Sequence, residues 1–285
     1  MLASIPGAVL AQQSPEPPFA GAPVTKQGKA DSAKALAASK ADDEFLARTA
    51  KIYYSTKIAG LDGFDCEVHP DWRTLFSSAD NGAAVPDNDV RLVTMTPVRI
   101  ALHARMRGDS TMDWKPPAHP DKPSDPDAAT MLDRMHQATE QTLKGFLQFW
   151  TPFVDGSAVP ASSADLKITR SAADWTIHAE QNGTQVTEIF SNAMILQHFN
   201  VVTDGMSIKF DPAYQPTEMG LLVNRFDAHI EPAGQSSTPA QVMHVQVVYA
   251  TIDGLPIPSR LNVEVVGTGT FNMALDGCQT LRASK

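Results

Sequence analysis

The sequence predicts an α+β fold in which two helices accompany a curved antiparallel sheet. From residue 166 onward, nine short stretches with strand character are separated by turn pairs such as Asn182-Gly183 and Asp253-Gly254, which are typical of β-hairpins. Two longer stretches, residues 42–58 and 128–153, carry apolar side chains at helical spacing. Because strands and helices do not alternate along the chain, the sheet is expected to be antiparallel.

The N-terminal residues are typical of the end of a secretory signal. Residues 1–11 are apolar, with Val9 and Ala11 at the −3 and −1 positions of a cleavage site, although the usual positive region is missing. Residues 12–41 are rich in Pro, Ala and Lys and predict a flexible leader. Residues 42–281 then form one predicted domain, and 282–285 a short tail. We therefore expect a periplasmic or secreted protein of the bacterial cell envelope.

The first part of the domain predicts one helix and two strands. Residues 42–58 form the helix, which Gly60 and Gly63 end, and Phe64 to Val68 alternate as a half-buried strand. The clearest strand covers residues 98–107. Its alternation predicts an inward face of Val98, Ile100, Leu102, Ala104 and Met106, and an outward face of Arg99, His103 and Arg105.

A proline-rich excursion at residues 108–127 separates this strand from the second helix. Its five prolines predict an exposed segment without regular structure. The second helix follows over residues 128–153, and the nine strands come after it: 166–170, 174–180, 186–190, 194–202, 207–210, 221–231, 242–252, 259–266 and 271–275.

The chain has two cysteines, Cys66 and Cys278, near opposite ends of the predicted domain. In an exported chain such a pair indicates one disulfide closing a long loop, worth about 3–5 kcal/mol. Two buried free thiols are the alternative.

Charge and motifs exclude several function classes. The formal net charge of −9 argues against nucleic-acid binding. The sequence has no apolar run long enough to predict a transmembrane helix, and no phosphate-loop, dinucleotide or zinc motif, so we predict no cofactor and no metal. His178, His198, His229 and His244 lie on separate predicted strands, which leaves a hydrolase with a His/acid site as an open alternative. The acidic pair Asp65 and Glu67 is expected to pair with Arg99 or Arg105.

The order of elements resembles the periplasmic lipoprotein-carrier superfamily, which includes the outer-membrane lipoprotein carrier. The segment Ile252-Asp-Gly-Leu-Pro-Ile-Pro-Ser-Arg-Leu-Asn-Val-Glu-Val looks like the late hairpin of those proteins. The resemblance implies a strongly curved half-barrel with the two main helices packed on a concave apolar face that holds acyl chains. The excursion at 108–127 departs from a minimal carrier.

We therefore expect a non-catalytic binder or carrier of a lipid-like or otherwise apolar small molecule. Eleven methionines favour an adaptable pocket, although Met also fills gaps in ordinary cores. The candidate pocket residues come from the second helix and the clearest strand: Met131, Met135, Phe146, Phe149, Trp150, Ile100 and Leu102. The alternative is an envelope structural or interaction module that binds another envelope protein.

Overall fold

A computed structural model describes residues 29–116, 126–155, 159, 163, 166–181, 183–203, 205–232 and 240–283. Twelve strands form one antiparallel sheet in the order β3-β2-β1-β12-β11-β10-β9-β8-β7-β6-β5-β4, which leaves β3 and β4 as its edges. The strands are β1 (Leu61–Pro70), β2 (Arg99–Arg105), β3 (Thr111–Lys115), β4 (Leu166–Arg170), β5 (Asp174–Gln181), β6 (Thr184–Ser191), β7 (Leu196–Thr203), β8 (Met206–Thr217), β9 (Gly220–Pro232), β10 (Gln241–Ile252), β11 (Leu255–Val265) and β12 (Gly269–Arg282).

Five helices accompany the sheet in this part of the chain: α1 (Lys29–Ala50), α2 (Thr56–Ala59), α3 (Trp72–Ala79), α4 (Val90–Met95) and α5 (Pro126–Val154). Helix α5 crosses the apolar face of the sheet. It places Trp150 against Phe64 of β1 at 6.3 Å and Phe153 against Phe226 of β9 at 5.7 Å between ring centres. The core lies between this face and the helices, and besides residues of α5 it includes buried residues of α1, α3 and α4 such as Leu46, Trp72 and Leu92.

The predicted half-barrel with two main helices on its concave face is wrong. The twelve strands form one open sheet, which does not close into a barrel. In the described part of the chain, one long helix, α5, packs along the sheet, and not two. The predicted first helix, residues 42–58, stops at Ala50. It stops there because the backbone of Ile52 and Tyr54 pairs with Leu221 of β9, and α2 adds only one further turn.

The excursion prediction is wrong in its first part. Residues 111–115 form the edge strand β3, whose Trp114 pairs with Ile100 of β2. This strand is possible because every proline of the excursion follows it. Residues 117–125 lie outside the described residues, as do the predicted signal at 1–11 and most of the predicted leader; α1 begins within that leader, at Lys29.

Other sequence predictions are confirmed. The second helix and all nine late strands are present, and the inward face of β2 is buried at Ile100, Leu102 and Ala104, with Met106 buried just beyond the strand. Cys66 and Cys278 form a disulfide with 4.1 Å between their Cα atoms, which joins the neighbouring strands β1 and β12 across 212 residues. None of the described helices combines the length and the apolar character needed to span a bilayer.

Candidate functional site

An open cleft of about 750 Å³ lies where β1 ends and β2 begins. Its floor is formed by the buried side chains of Val68, Trp72 and Leu92, while Pro97 and Val98 line one side. The remaining lining residues are His69, Pro70, Asp71, Arg73, Asp87, Val93 and Thr96. We call this surface the α3–α4 cleft, because both short helices contribute to its lining, α3 through Trp72 and Arg73 and α4 through Leu92 and Val93.

Two aspartate caps create the helices that wall the cleft. Asp71 follows the last residue of β1 and accepts a hydrogen bond from the backbone N–H of Thr74 at 3.0 Å, which starts α3. Asp89 accepts from the N–H of Arg91 at 2.8 Å and starts α4. Such caps satisfy amides that the first helical turn leaves unpaired. Strand, cap and helix are therefore consecutive, and the cleft forms at their junction.

Arg91 fixes α4 against α3. Its guanidinium donates to Asp80 at the end of α3 and to Asp89 at the start of α4, at 2.6 and 2.8 Å, and lies over the ring of Phe76. Hydrogen bonds from Arg91 hold the pKa of Asp89 at about 2. Both carboxylates stay ionised at neutral pH, so the walls of the cleft keep their spacing.

The rim of the cleft is polar and carries charges of both signs. The Arg73 guanidinium donates to the carbonyl of Val85 and to the carboxylate of Asp87. His69 lies 3.7 Å from Glu67 and 3.9 Å from Asp276, measured between nitrogen and oxygen. An apolar floor below a polar rim is the usual arrangement of a site for small molecules.

Two valines of α4 are exposed beside the cleft. Val93 lines it and is 60% exposed, and Val90 on the same helix is 66% exposed. Apolar side chains that face water next to a concave apolar floor extend the surface available for contact.

The pocket residues predicted from sequence lie elsewhere. Phe146, Trp150, Met135, Ile100 and Leu102 are buried in the core between α5 and the sheet, and Phe149 and Met131 pack against that core. Phe146 stacks on Trp150, whose indole N–H donates to the Tyr249 hydroxyl at 2.7 Å. The structure brings these residues together as part of the packed core. None of them lines the α3–α4 cleft.

Three histidines form separate His–Asp pairs on the polar face of the sheet. His103 pairs with Asp65, His198 with Asp211 and His244 with Asp227, at 3.0, 2.6 and 2.7 Å between nitrogen and oxygen. Arg105 also binds Asp65 at 2.8 Å, as predicted, whereas Glu67 lies beside His69 and not beside either predicted arginine. Within the described ranges, no three His, Cys, Asp or Glu side chains are placed to hold a metal ion.

A smaller groove of about 320 Å³ crosses strands β9, β10 and β11 on this polar face. It contains the His244–Asp227 pair together with Arg225, Gln246, Asn262 and Glu264. Each of these side chains stands opposite its neighbour in the strand register, so ordinary cross-strand pairing accounts for the arrangement.

Sequence reasoning missed the α3–α4 cleft because it missed both helices. The available signal was the pattern of a capping aspartate followed by an apolar residue, in Asp71-Trp72 and Asp89-Val90.

Comparisons of the chain with protein-family models, with curated proteins and with solved structures found no match.

Proposed function

We propose that this chain is a non-catalytic binder of a small apolar or amphipathic molecule, held in the α3–α4 cleft. The observation that carries the proposal is the cleft itself, which combines an apolar floor of Val68, Trp72 and Leu92 with a polar rim. Its volume of about 750 Å³ lies within the range of roughly 300–1,000 Å³ that is usual for ligand sites. A lipid-like ligand would place its apolar part on the floor and its polar end at the rim.

Export to the cell envelope belongs to the same proposal. The Cys66–Cys278 disulfide is compatible with an oxidising compartment. A carrier role, as the resemblance to lipoprotein carriers implies, requires that the ligand can leave as well as bind, and an open cleft supports exchange with solvent better than a closed cavity.

Binding of a neutral apolar fluorophore tests the proposal. We expect N-phenyl-1-naphthylamine to gain fluorescence on the wild-type protein, and Val93→Glu to weaken its binding at least tenfold, because the new carboxylate would be desolvated against the ligand. Val93 is 60% exposed, so the substitution is expected to leave the fold intact.

Val266→Glu is the matched control, since Val266 is 52% exposed but lies at the turn between β11 and β12, outside the cleft lining. It should bind the fluorophore like the wild type. Equal binding by all three proteins, or an equal loss in both variants, would contradict the proposal.

A protein-interaction module is the second candidate function, and the exposed Val90 favours it because this side chain faces water on α4 without lining the cleft. Val90→Glu separates the two candidates. If the ligand is a small molecule, this variant binds the fluorophore normally; if α4 docks on another envelope protein, cross-linking in the cell envelope captures a partner with the wild type and not with Val90→Glu.

A further inference from the structure

Glu188 is an acid in an otherwise apolar row on the inner face of the sheet. In the strand register it stands between Ile177 of β5 and Phe199 of β7, and Phe190 follows it on the same face of β6. Glu188 is only 7% exposed. A carboxyl group in such a place is costly when ionised, because burial removes its hydration.

The polar atoms around Glu188 are incompletely paired. Its Oε2 atom and the nearby hydroxyl of Tyr214 are both buried and have no hydrogen-bond partner within the described part of the chain. Burial raises the pKa of Glu188 to about 8 and that of Tyr53 to about 12, and raises the pKa of Tyr214 well above its usual 10. Between pH 5 and 8, Glu188 is therefore the one member of this group that changes charge.

Residues 42–54 cover the Phe190 end of this row, and the backbone of Ile52 and Tyr54 also pairs with Leu221 of β9. Phe45 stacks on Trp175 with 4.1 Å between ring centres and meets the edge of Phe190 at 6.0 Å. The Tyr53 hydroxyl donates to the carbonyl of Met194 at 2.9 Å and accepts from the N–H of Leu196 at 2.6 Å. We call residues 42–54 the cover.

The two aspartates at the start of the cover interact with other groups. Asp43 accepts hydrogen bonds from the N–H and hydroxyl of Ser163, which lower its pKa, so it stays ionised above pH 5. The pKa of Asp42 is raised by partial burial and by Asp43. Tyr53 on the cover and Tyr214 on β8 both interact electrostatically with Glu188.

We propose that Glu188 is a proton-controlled latch: its neutral carboxyl keeps the cover on strands β5 to β8, and its ionisation releases the cover. Release would hydrate the carboxylate and expose the apolar row that includes Trp175 and Phe190. Opening is favoured by rising pH, because the closed state binds a proton that the open state gives up above the ordinary pKa of a glutamate. This latch is independent of ligand binding in the α3–α4 cleft.

Hydrogen exchange measured across pH 5 to 8 tests the latch. After correction for the intrinsic pH dependence of exchange, we expect the protection of amides in the cover to fall by up to tenfold per pH unit in the wild type. In Glu188→Gln, the protection of these amides should not change with pH, because glutamine resembles the neutral acid. This variant keeps Asp42 and Asp43, so any pH dependence that comes from them would remain. Glu180→Gln, which changes an exposed acid on β5, should behave like the wild type.

Three results would overturn the latch. One is a Glu188→Gln protein that keeps the wild-type pH dependence, and another is a loss of protection as large in β11 and β12 as in the cover, which would mean global unfolding. The third needs no variant: a carbon-13 NMR titration of the wild-type Glu188 carboxyl that gives a midpoint near 4.5.

Discussion

At the scale of single residues, two tyrosines whose rings are in contact differ in whether their hydroxyl groups form hydrogen bonds. The rings of Tyr53 and Tyr214 are 5.2 Å apart, yet the Tyr53 hydroxyl makes two backbone hydrogen bonds and the Tyr214 hydroxyl makes none within the described residues. A buried hydroxyl stabilises a fold only when it is paired.

Replacing each tyrosine by phenylalanine should separate these states. Tyr53→Phe leaves the carbonyl of Met194 and the N–H of Leu196 without their partner, so we expect a loss of about 1–3 kcal/mol in the free energy of unfolding. Tyr214→Phe removes a hydroxyl that has no described partner, and we expect a change within about 0.5 kcal/mol or a gain in stability. Urea unfolding of both variants measures the difference, and equal losses would contradict the assignment.

At the scale of elements, the late hairpins could be predicted because their signals are local. Turn pairs such as Asn182-Gly183 bound stretches of alternating residues, and the structure has strands there. Helices α3 and α4 have eight and six residues, which is too short for a helical period to show. Strand β3 was not predicted, because the prolines that follow it led us to expect no regular structure in the whole segment 108–127. The break after Ala50 depends on pairing with Leu221, a long-range contact that no local pattern indicates.

The docking of the cover on β9 depends on a glycine. Gly220 has φ = +116°, and a Cβ atom there would lie 2.8 Å from the carbonyl oxygen of Ile52. We expect Gly220→Ala to push the cover away from Leu221 and to increase hydrogen exchange at residues 50–54.

Gly254→Ala is the control for this experiment, because Gly254 also has a positive φ, +75°, but has open space around it. It should cost about 1 kcal/mol through backbone strain alone and leave exchange in the cover unchanged. If both variants alter the cover equally, the close approach of Gly220 is not what positions it.

At the scale of the whole molecule, the disulfide ties the early part of the sheet to its last strand. Cys66 and Cys278 belong to adjacent strands, but 212 residues separate them in the sequence. Of the candidate residues chosen from the sequence, this pair was predicted correctly, because a chain with two cysteines can form only one intramolecular disulfide. The cleft could not be predicted in the same way, because its lining comes from three segments that only tertiary packing brings together.

Removing the disulfide should destabilise the protein without changing the sheet. We expect the Cys66→Ala/Cys278→Ala double variant to lose about 3–5 kcal/mol in the free energy of unfolding, since the unfolded chain regains the freedom of a long loop. Urea denaturation of the variant and the wild type measures the loss. Alkylation of the wild-type protein before and after reduction counts its free thiols. Two alkylated cysteines in unreduced protein would refute the bond.

The central claim is that the α3–α4 cleft holds a small apolar or amphipathic molecule, and native mass spectrometry of protein purified from its own cells tests it most directly. We predict that wild-type protein and Val266→Glu carry an adduct of the size of a single lipid-like molecule, and that Val93→Glu has lost it. An adduct that persists in Val93→Glu, or its absence from all three proteins, would contradict the claim.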